Sequence, residues 1–394
     1  MIHLEAQFFS FNKILLLAVG LWPYQQSKLT RLQFIFLSII LITATIFQFT
    51  TFVTLKFYSP TLIVEILSTA TFYIIFIIKY SSFCANINNV KNLMMQLEHI
   101  YNKLKDKNEI AIIEKYGYNA KRYTVALTTF AVCGMFLITI SQFGPKIFDF
   151  ALSTNNSRSY RSMPIMTEYF VNQERYYFLI LLHMYIAFSI GAMAMLAVGT
   201  MLITFLQHIC GMFTISCYRI ERAVKFSMLK NNLNKKSLIS KGIICAVEIH
   251  RQAMKLSKNF MSKFDPWFFC LILFGVASLS LNLFRITYIM SFENDVTAFS
   301  LPLMFILASI LYMFLANSIG QDIIDHNDHI FFTAYNVPWF LAPLHIQKMI
   351  LFLLQQAAED FSLTVGGLFS ASLECFATLI KASVSYFTVI YSMQ

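Results

Sequence analysis

Long apolar runs separated by polar connections set the pattern of this chain. A helix needs about 20 apolar residues to cross a hydrocarbon core. Seven segments meet that length, at about 32–55, 62–80, 121–145, 175–206, 265–288, 297–320 and 361–393. Within them, 32–55, 123–145 and 296–320 hold no charged residue. They are apolar nearly all round, so periodicity does not orient their faces. The connections carry a different pattern. Ile87, Val90, Met94, Leu97, Tyr101 and Leu104 recur at three- and four-residue spacing, as do Ala246, Ile249, Ala253, Leu256 and Phe260. Such stripes on charged segments predict amphipathic helices that continue spans two to five into a bundle beyond the membrane. Leu341, Leu344, Ile350, Leu351 and Leu354 predict a further amphipathic helix, an anchor at about 339–358. The short apolar run 14–19, followed by Trp22-Pro23, lacks a cleavage pattern and reads as an interfacial helix. The expected fold is an all-α membrane protein of seven spans with a cytoplasmic helical anchor bundle, one domain over 1–394.

Composition supports this class. Of 394 residues, 57% are hydrophobic and 13% charged, about half the charge of a soluble domain. Mean hydropathy is +0.62. The net charge of +10 would suit nucleic acid or a membrane, but the basic residues sit between apolar runs, which excludes a nucleic-acid module. With the N-terminus in the cytoplasm, 23 Lys and Arg fall in inner segments and five in outer ones. The positive-inside rule then places the N-terminus in the cytoplasm and the C-terminus outside. Asn155-Asn156-Ser157 is a glycosylation sequon on the expected outer third connection, with Asn155 the acceptor. The seven cysteines lie in spans or inner segments, so no structural disulfide is expected.

Candidate chemistry is sparse. Asp322, Asp325, His326, Asp328 and His329 cluster after span six and read as its solvated inner end rather than a metal site. No nucleophile–base set or phosphate loop is present, so neither enzyme activity nor a cofactor is expected. Ionisable residues inside spans are functional candidates. Glu374 and Lys381, seven apart, share a stripe of the last span, where they can pair, line a wet path or meet another subunit. Glu65 lies near the outer interface, where snorkelling is the expected behaviour. In the last span Ser383, Ser385, Thr388 and Ser392 alternate with Val384, Phe387, Val389 and Ile390. Such a pattern either glues helices together or lines a water-filled path.

Several motifs then fall in a familiar order. Gly20-Leu21-Trp22-Pro23 precedes the first span, and Gly320-Gln321-Asp322-Ile323-Ile324 closes the sixth. Tyr335-Asn336-Val337-Pro338-Trp339 follows, then Gly366-Gly367-Leu368-Phe369 and Ser385-Tyr386-Phe387-Thr388-Val389, at the two ends of the last span. In these motifs the chain resembles the insect odorant receptors. The resemblance implies a plasma-membrane, ligand-gated, non-selective cation channel, a heterotetramer of an odorant-specific subunit and a shared coreceptor. The short fourth connection and the ending Tyr391-Ser392 resemble the odorant-specific kind. By motif, Val389 takes the place of the family's hydrophobic gate and Ser392 that of the polar residue beyond it. Lys381 joins them as a pore candidate, and Tyr335 and Trp339 belong to the subunit anchor. The resemblance puts the pocket for a small, volatile, apolar ligand in the outer half of spans two, three, four and six. There Thr69, Phe72, Tyr73, Gly134, Ile138, Tyr177, His183, Met184 and Phe305 are the candidates. His183 leads them, because a His in an apolar half-span wants a hydrogen-bond partner. A gustatory-type channel of the same superfamily is the alternative. A metabotropic seven-helix receptor would need an outer N-terminus.

Overall fold

The structure, a computed structural model, describes residues 8–25, 27–54, 59–151, 165–229, 235–293, 296–357 and 361–393, with side chains for all but 142–151, 226–229, 235–238, 293 and 296–297. Helix α1 (Ser10–Ala18) precedes α2 (Lys28–Phe49), which continues past Thr50 into the single turn α3 (Thr51–Thr54). Then come α4 (Pro60–Ala85), α5 (Ile87–Lys103), α6 (Lys107–Ala151), α7 (Gln173–Leu229), α8 (Lys235–Tyr288), α9 (Val296–Asn336), α10 (Leu344–Ala357) and α11 (Leu373–Ser392). Among the described residues, seven helices are long and apolar enough to cross a membrane.

Local chemistry sets the helix starts. Ser27 and Thr30 form a reciprocal capping box at the head of α2, with Ser27 Oγ accepting from the Thr30 N–H at 3.2 Å. Ser59 caps α4, whose first residue is Pro60; proline is suited there because its missing N–H has no helical partner. Helix α7 has 57 residues and α8 has 54. At 1.5 Å per residue each is about 80 Å long, far more than the roughly 30 Å of a hydrocarbon core. The excess forms the bundle that the apolar stripes predict. Ala246, Ile249, Ala253, Leu256 and Phe260 of α8 are all buried, as are Val90, Leu93, Met94 and Leu97 of α5. Arg219 holds Glu109 through two bonds of 2.7 and 2.8 Å, and Arg222 pairs with Asp106, joining α7 to α6 and the turn before it.

Among the described residues the buried side chains form two cores. The larger runs through α1, α5 and the bundle halves of α7 and α8. The smaller joins Phe72, Tyr73 and Phe76 to Ile138, Met184, Leu301 and Phe305. The interfacial helix expected before the first span packs one face on protein. Leu15 and Leu16 are buried, while Ile14 and Phe11 remain exposed. Asn12 Nδ2 donates to Thr204 Oγ1 at 3.2 Å, and Tyr80 OH to the Val19 carbonyl at 2.7 Å.

Two expected boundaries change. The seventh span was expected over 361–393, but its helix begins at Leu373, where Ser372 Oγ accepts from the Cys375 N–H. The preceding residues form a hairpin, Thr364–Val365 against Phe369–Ser370. Gly366 and Gly367 turn it with φ of +61° and +66°, a left-handed conformation that disfavours other residues. The Gly366 N–H donates to Asp265 Oδ1 at 2.7 Å, fixing the hairpin to α8. On α9, a Cβ at Gly320 would lie 2.4 Å from the Ala371 carbonyl oxygen, so the glycine admits the hairpin's exit strand. The anchor, expected as one helix over 339–358, is divided. Trp339–Leu341 forms a 3-10 turn, Ala342 is extended, and α10 starts after Pro343. Proline drives the residue before it out of the helical region, and Gln347 Nε2 bridges the break by donating to the Phe340 and Ala342 carbonyls.

Candidate functional site: a cavity between two cores

Where the two cores meet, α4, α6, α7, α8, α9 and α11 leave a cavity of about 290 Å³. Its walls are largely aromatic and aliphatic. Phe72 of α4 stacks on Phe305 of α9 with centroids 4.2 Å apart, and Phe76 and Phe188 meet them edge-on or tilted. Gly134 and Ile138 bring in α6, and the hairpin closes the other end with Leu363 and Val365. Glycines make room for the wall. A Cβ at Gly134 would lie 2.4 Å from Met304 Cε, and one at Gly191 only 2.1 Å from the Phe76 ring.

Of the nine residues expected to line a pocket, Phe72, Gly134, Ile138 and Phe305 do so. The other five stand outside the lining. Thr69 is buried and returns its hydroxyl to the Ile66 carbonyl at 3.0 Å. Tyr73 OH donates to the Met184 carbonyl at 3.2 Å, and both side chains are buried. Tyr177 is buried with its ring edge-on to Phe178. His183 has protein partners on both ring nitrogens: Tyr169 OH at 2.6 Å from Nδ1 and Thr43 Oγ1 at 3.2 Å from Nε2. Burial raises the Tyr169 phenol above its usual pKa, which keeps it a donor. An Nε2-protonated imidazole then relays donor to acceptor through Thr43, whose hydroxyl donates to the Ile39 carbonyl at 2.8 Å. His183 thereby ties α2, α7 and the segment before α7 together.

Sequence reasoning missed the cavity's polar residues. Lys79 of α4, counted among the inner charges, is 2% exposed and faces the cavity. Its ammonium donates to Tyr312 OH at 2.6 Å and lies 5.6 Å from the centre of the Phe268 ring. Ser309, one turn from Tyr312 on α9, also lines the cavity, and its buried Oγ has no hydrogen-bond partner among the described residues. The signal was available: Lys79 lies seven residues beyond Phe72, two turns along one helix face.

The remaining candidates lie on outer surfaces. Lys381, Val389 and Ser392 of α11 are exposed, Val389 at 53%. Tyr335 is exposed, stacked on Phe331, and Trp339 is half-buried beside Phe340. Asn155 lies outside the described residues. In the polar cluster of α9, Asp325, Asp328 and His329 are exposed, while His326 Nε2 meets Tyr116 OH at 2.6 Å. Among the described residues no group of three His, Cys, Asp or Glu is placed to hold a metal. Glu65, expected to snorkel, instead pairs with Arg285 of α8 at 2.6 Å.

The comparisons agree with this architecture. Odorant receptor 10 of Aedes albopictus is 31% identical over 71 residues, which span 18% of this chain and 19% of that protein. Two solved structures of the insect olfactory receptor OR5 from Machilis hrabei, one in complex with eugenol, cover all of this chain and 99% of their own. Their TM-scores are 0.79 and 0.77 at 14% identity, a likeness of fold. The family model described as 7tm Odorant receptor matches residues 59–384. This chain therefore belongs to the odorant receptor family, multi-pass membrane receptors and not enzymes.

Proposed function

We propose that this chain is the odorant-binding subunit of a ligand-gated, non-selective cation channel, acting with a coreceptor in a heterotetramer. The observation that carries the reading is the mostly apolar cavity inside the helical bundle. Small-molecule sites are concave, mainly apolar and supplied with a few polar groups, which is what a small volatile ligand requires. Phe72, Gly134, Ile138 and Phe305 contact that ligand directly. Thr69, Tyr73, Tyr177, His183 and Met184 act from behind, by holding the helices that carry the wall.

The N-terminus lies in the cytoplasm, on the strength of 23 inner against five outer basic residues. Helix α11 then runs outward. Its exposed face carries Lys381, Val389 and Ser392, which line the pore with residues of neighbouring subunits. Tyr335, Trp339 and the exposed Leu351 and Phe352 of α10 form the anchor on which subunits pack. Asn155 is glycosylated on the outer side.

Co-expression with an insect odorant coreceptor in oocytes tests the whole reading. A panel of volatiles should evoke cation current within tens of milliseconds and without added nucleotide. Silence across a broad panel, with the chain shown to be at the cell surface, would remove the channel assignment.

A further inference from the structure

We propose that the ligand of this cavity is a medium-chain carboxylic acid, bound with its carboxylate on Lys79 and Ser309. The proposal rests on the odorant-cavity reading above. Lys79 is 2% exposed and, among the described residues, its ammonium finds a hydroxyl and aromatic faces: Tyr312 OH at 2.6 Å, with the Phe268 and Tyr312 rings at 5.6 and 5.0 Å. No carboxylate among the described residues pairs with it. An ammonium carries three donors, and a buried charge without a counter-charge is costly. Ser309 Oγ is buried on the same cavity without a partner, and a buried hydroxyl left unpaired is also costly. A wholly apolar ligand would fill the space and leave both groups unsatisfied. A carboxylate accepts from both, through bonds that are stronger for being charge-assisted.

The cavity also has a length. Phe72 and Lys79 are seven residues apart on α4, as are Phe305 and Tyr312 on α9. Seven residues rise about 10 Å. The Phe72–Phe305 stack and the Lys79–Tyr312 pair therefore mark two levels about 10 Å apart in one cavity. An extended chain advances about 1.3 Å per bond, by the 3.8 Å of three backbone bonds, so about eight carbons reach from the polar level to the aromatic one.

Octanoate, methyl octanoate and 1-octanol are the probes. Each is titrated at neutral pH against the full-length protein in detergent micelles, with thermal unfolding followed by tryptophan fluorescence. Octanoate should half-saturate at a concentration at least about tenfold below that of its methyl ester, a difference of about 1.4 kcal/mol. Lys79→Met should erase that preference and Lys79→Arg retain it, while Ser309→Ala should narrow it. Binding of the ester as tightly as the acid overturns the proposal. So does an acid preference that survives Lys79→Met, or the failure of all three probes to bind. Should Lys79→Met fail to fold, the wild-type comparison and Ser309→Ala decide the matter. The channel reading fails separately: a chain that binds octanoate yet passes no current with a coreceptor keeps its acid site and loses the channel assignment. Currents evoked equally by acid, ester and alcohol do the converse.

Discussion

Arg285 and Glu65 show what a charge requires inside a span. Arg285 lies within α8, its side chain 9% exposed, and reaches Glu65 of α4 at 2.6 Å. Hydropathy alone placed Glu65 at the interface with its carboxylate turned to water. The pair instead joins two helices and neutralises a guanidinium that would otherwise sit unbalanced among apolar side chains. Removing one partner of a fully buried pair costs about 3–5 kcal/mol. Glu65 is 28% exposed, so water recovers part of that loss. Glu65→Gln should lower unfolding stability by about 1–3 kcal/mol, measured by denaturant unfolding in micelles. Arg285→Gln added to it should restore some of the loss, because the orphaned charge is then gone. A double variant whose loss equals the sum of the two single losses would show that the residues do not act as a pair.

At the scale of elements, the hairpin before α11 depends on two glycines that do different work. Gly367 has φ +66° and open space where a Cβ would go. Gly366 has φ +61°, and a Cβ there would lie 2.6 Å from the Phe269 ring. Gly367→Ala should therefore cost only the left-handed conformation, about 1–2 kcal/mol. Gly366→Ala should add an overpacking cost of about 1–3 kcal/mol. Equal losses in thermal unfolding would mean that the Phe269 contact is not firm. The same segment shows where sequence reading stops. The amphipathic helices were legible because a polar face breaks the run: the stripe from Ala246 to Phe260 is buried along its whole length. The start of α11 was not, because 361–369 is as apolar as a span. Gly366-Gly367 was the available breaker signal, and it was absorbed into the helix. The cavity was half legible for a related reason. Depth and helix face locate Phe72, Ile138 and Phe305, but not which face of an all-apolar helix turns inward. Lys79, read as a charge at a membrane edge, is enclosed because Tyr312 and Phe268 from two other helices reach over it.

Across the whole molecule, the cavity and the proposed pore share one helix. Cys375 and Leu379 of α11 line the cavity, and Ser383, one turn beyond Leu379, is buried against α8, its carbonyl accepting from Ser280 Oγ at 2.9 Å. Past Ser383, Val384, Tyr386, Val389 and Tyr391 are exposed while Phe387 and Ile390 stay half-buried, so one face of the helix is open. Ten residues separate Leu379 from Val389, about 15 Å of helix, so a ligand touching Leu379 needs no long relay to reach the proposed gate. It shifts the proposed channel only if it binds the open arrangement more tightly than the closed one. A ring of valines closes a pore by excluding water, and smaller side chains weaken that exclusion. Val389→Ala should therefore raise the ligand-independent current of cells co-expressing a coreceptor, and Val389→Leu should lower it, without changing the odorant concentration for half-maximal binding to the purified chain. Leu379→Ala should act the other way round, altering binding through the cavity wall and leaving unliganded current near its wild-type level. If Val389→Ala leaves the baseline current unchanged while the protein reaches the surface, Val389 faces lipid or a neighbouring helix and the gate lies elsewhere on α11.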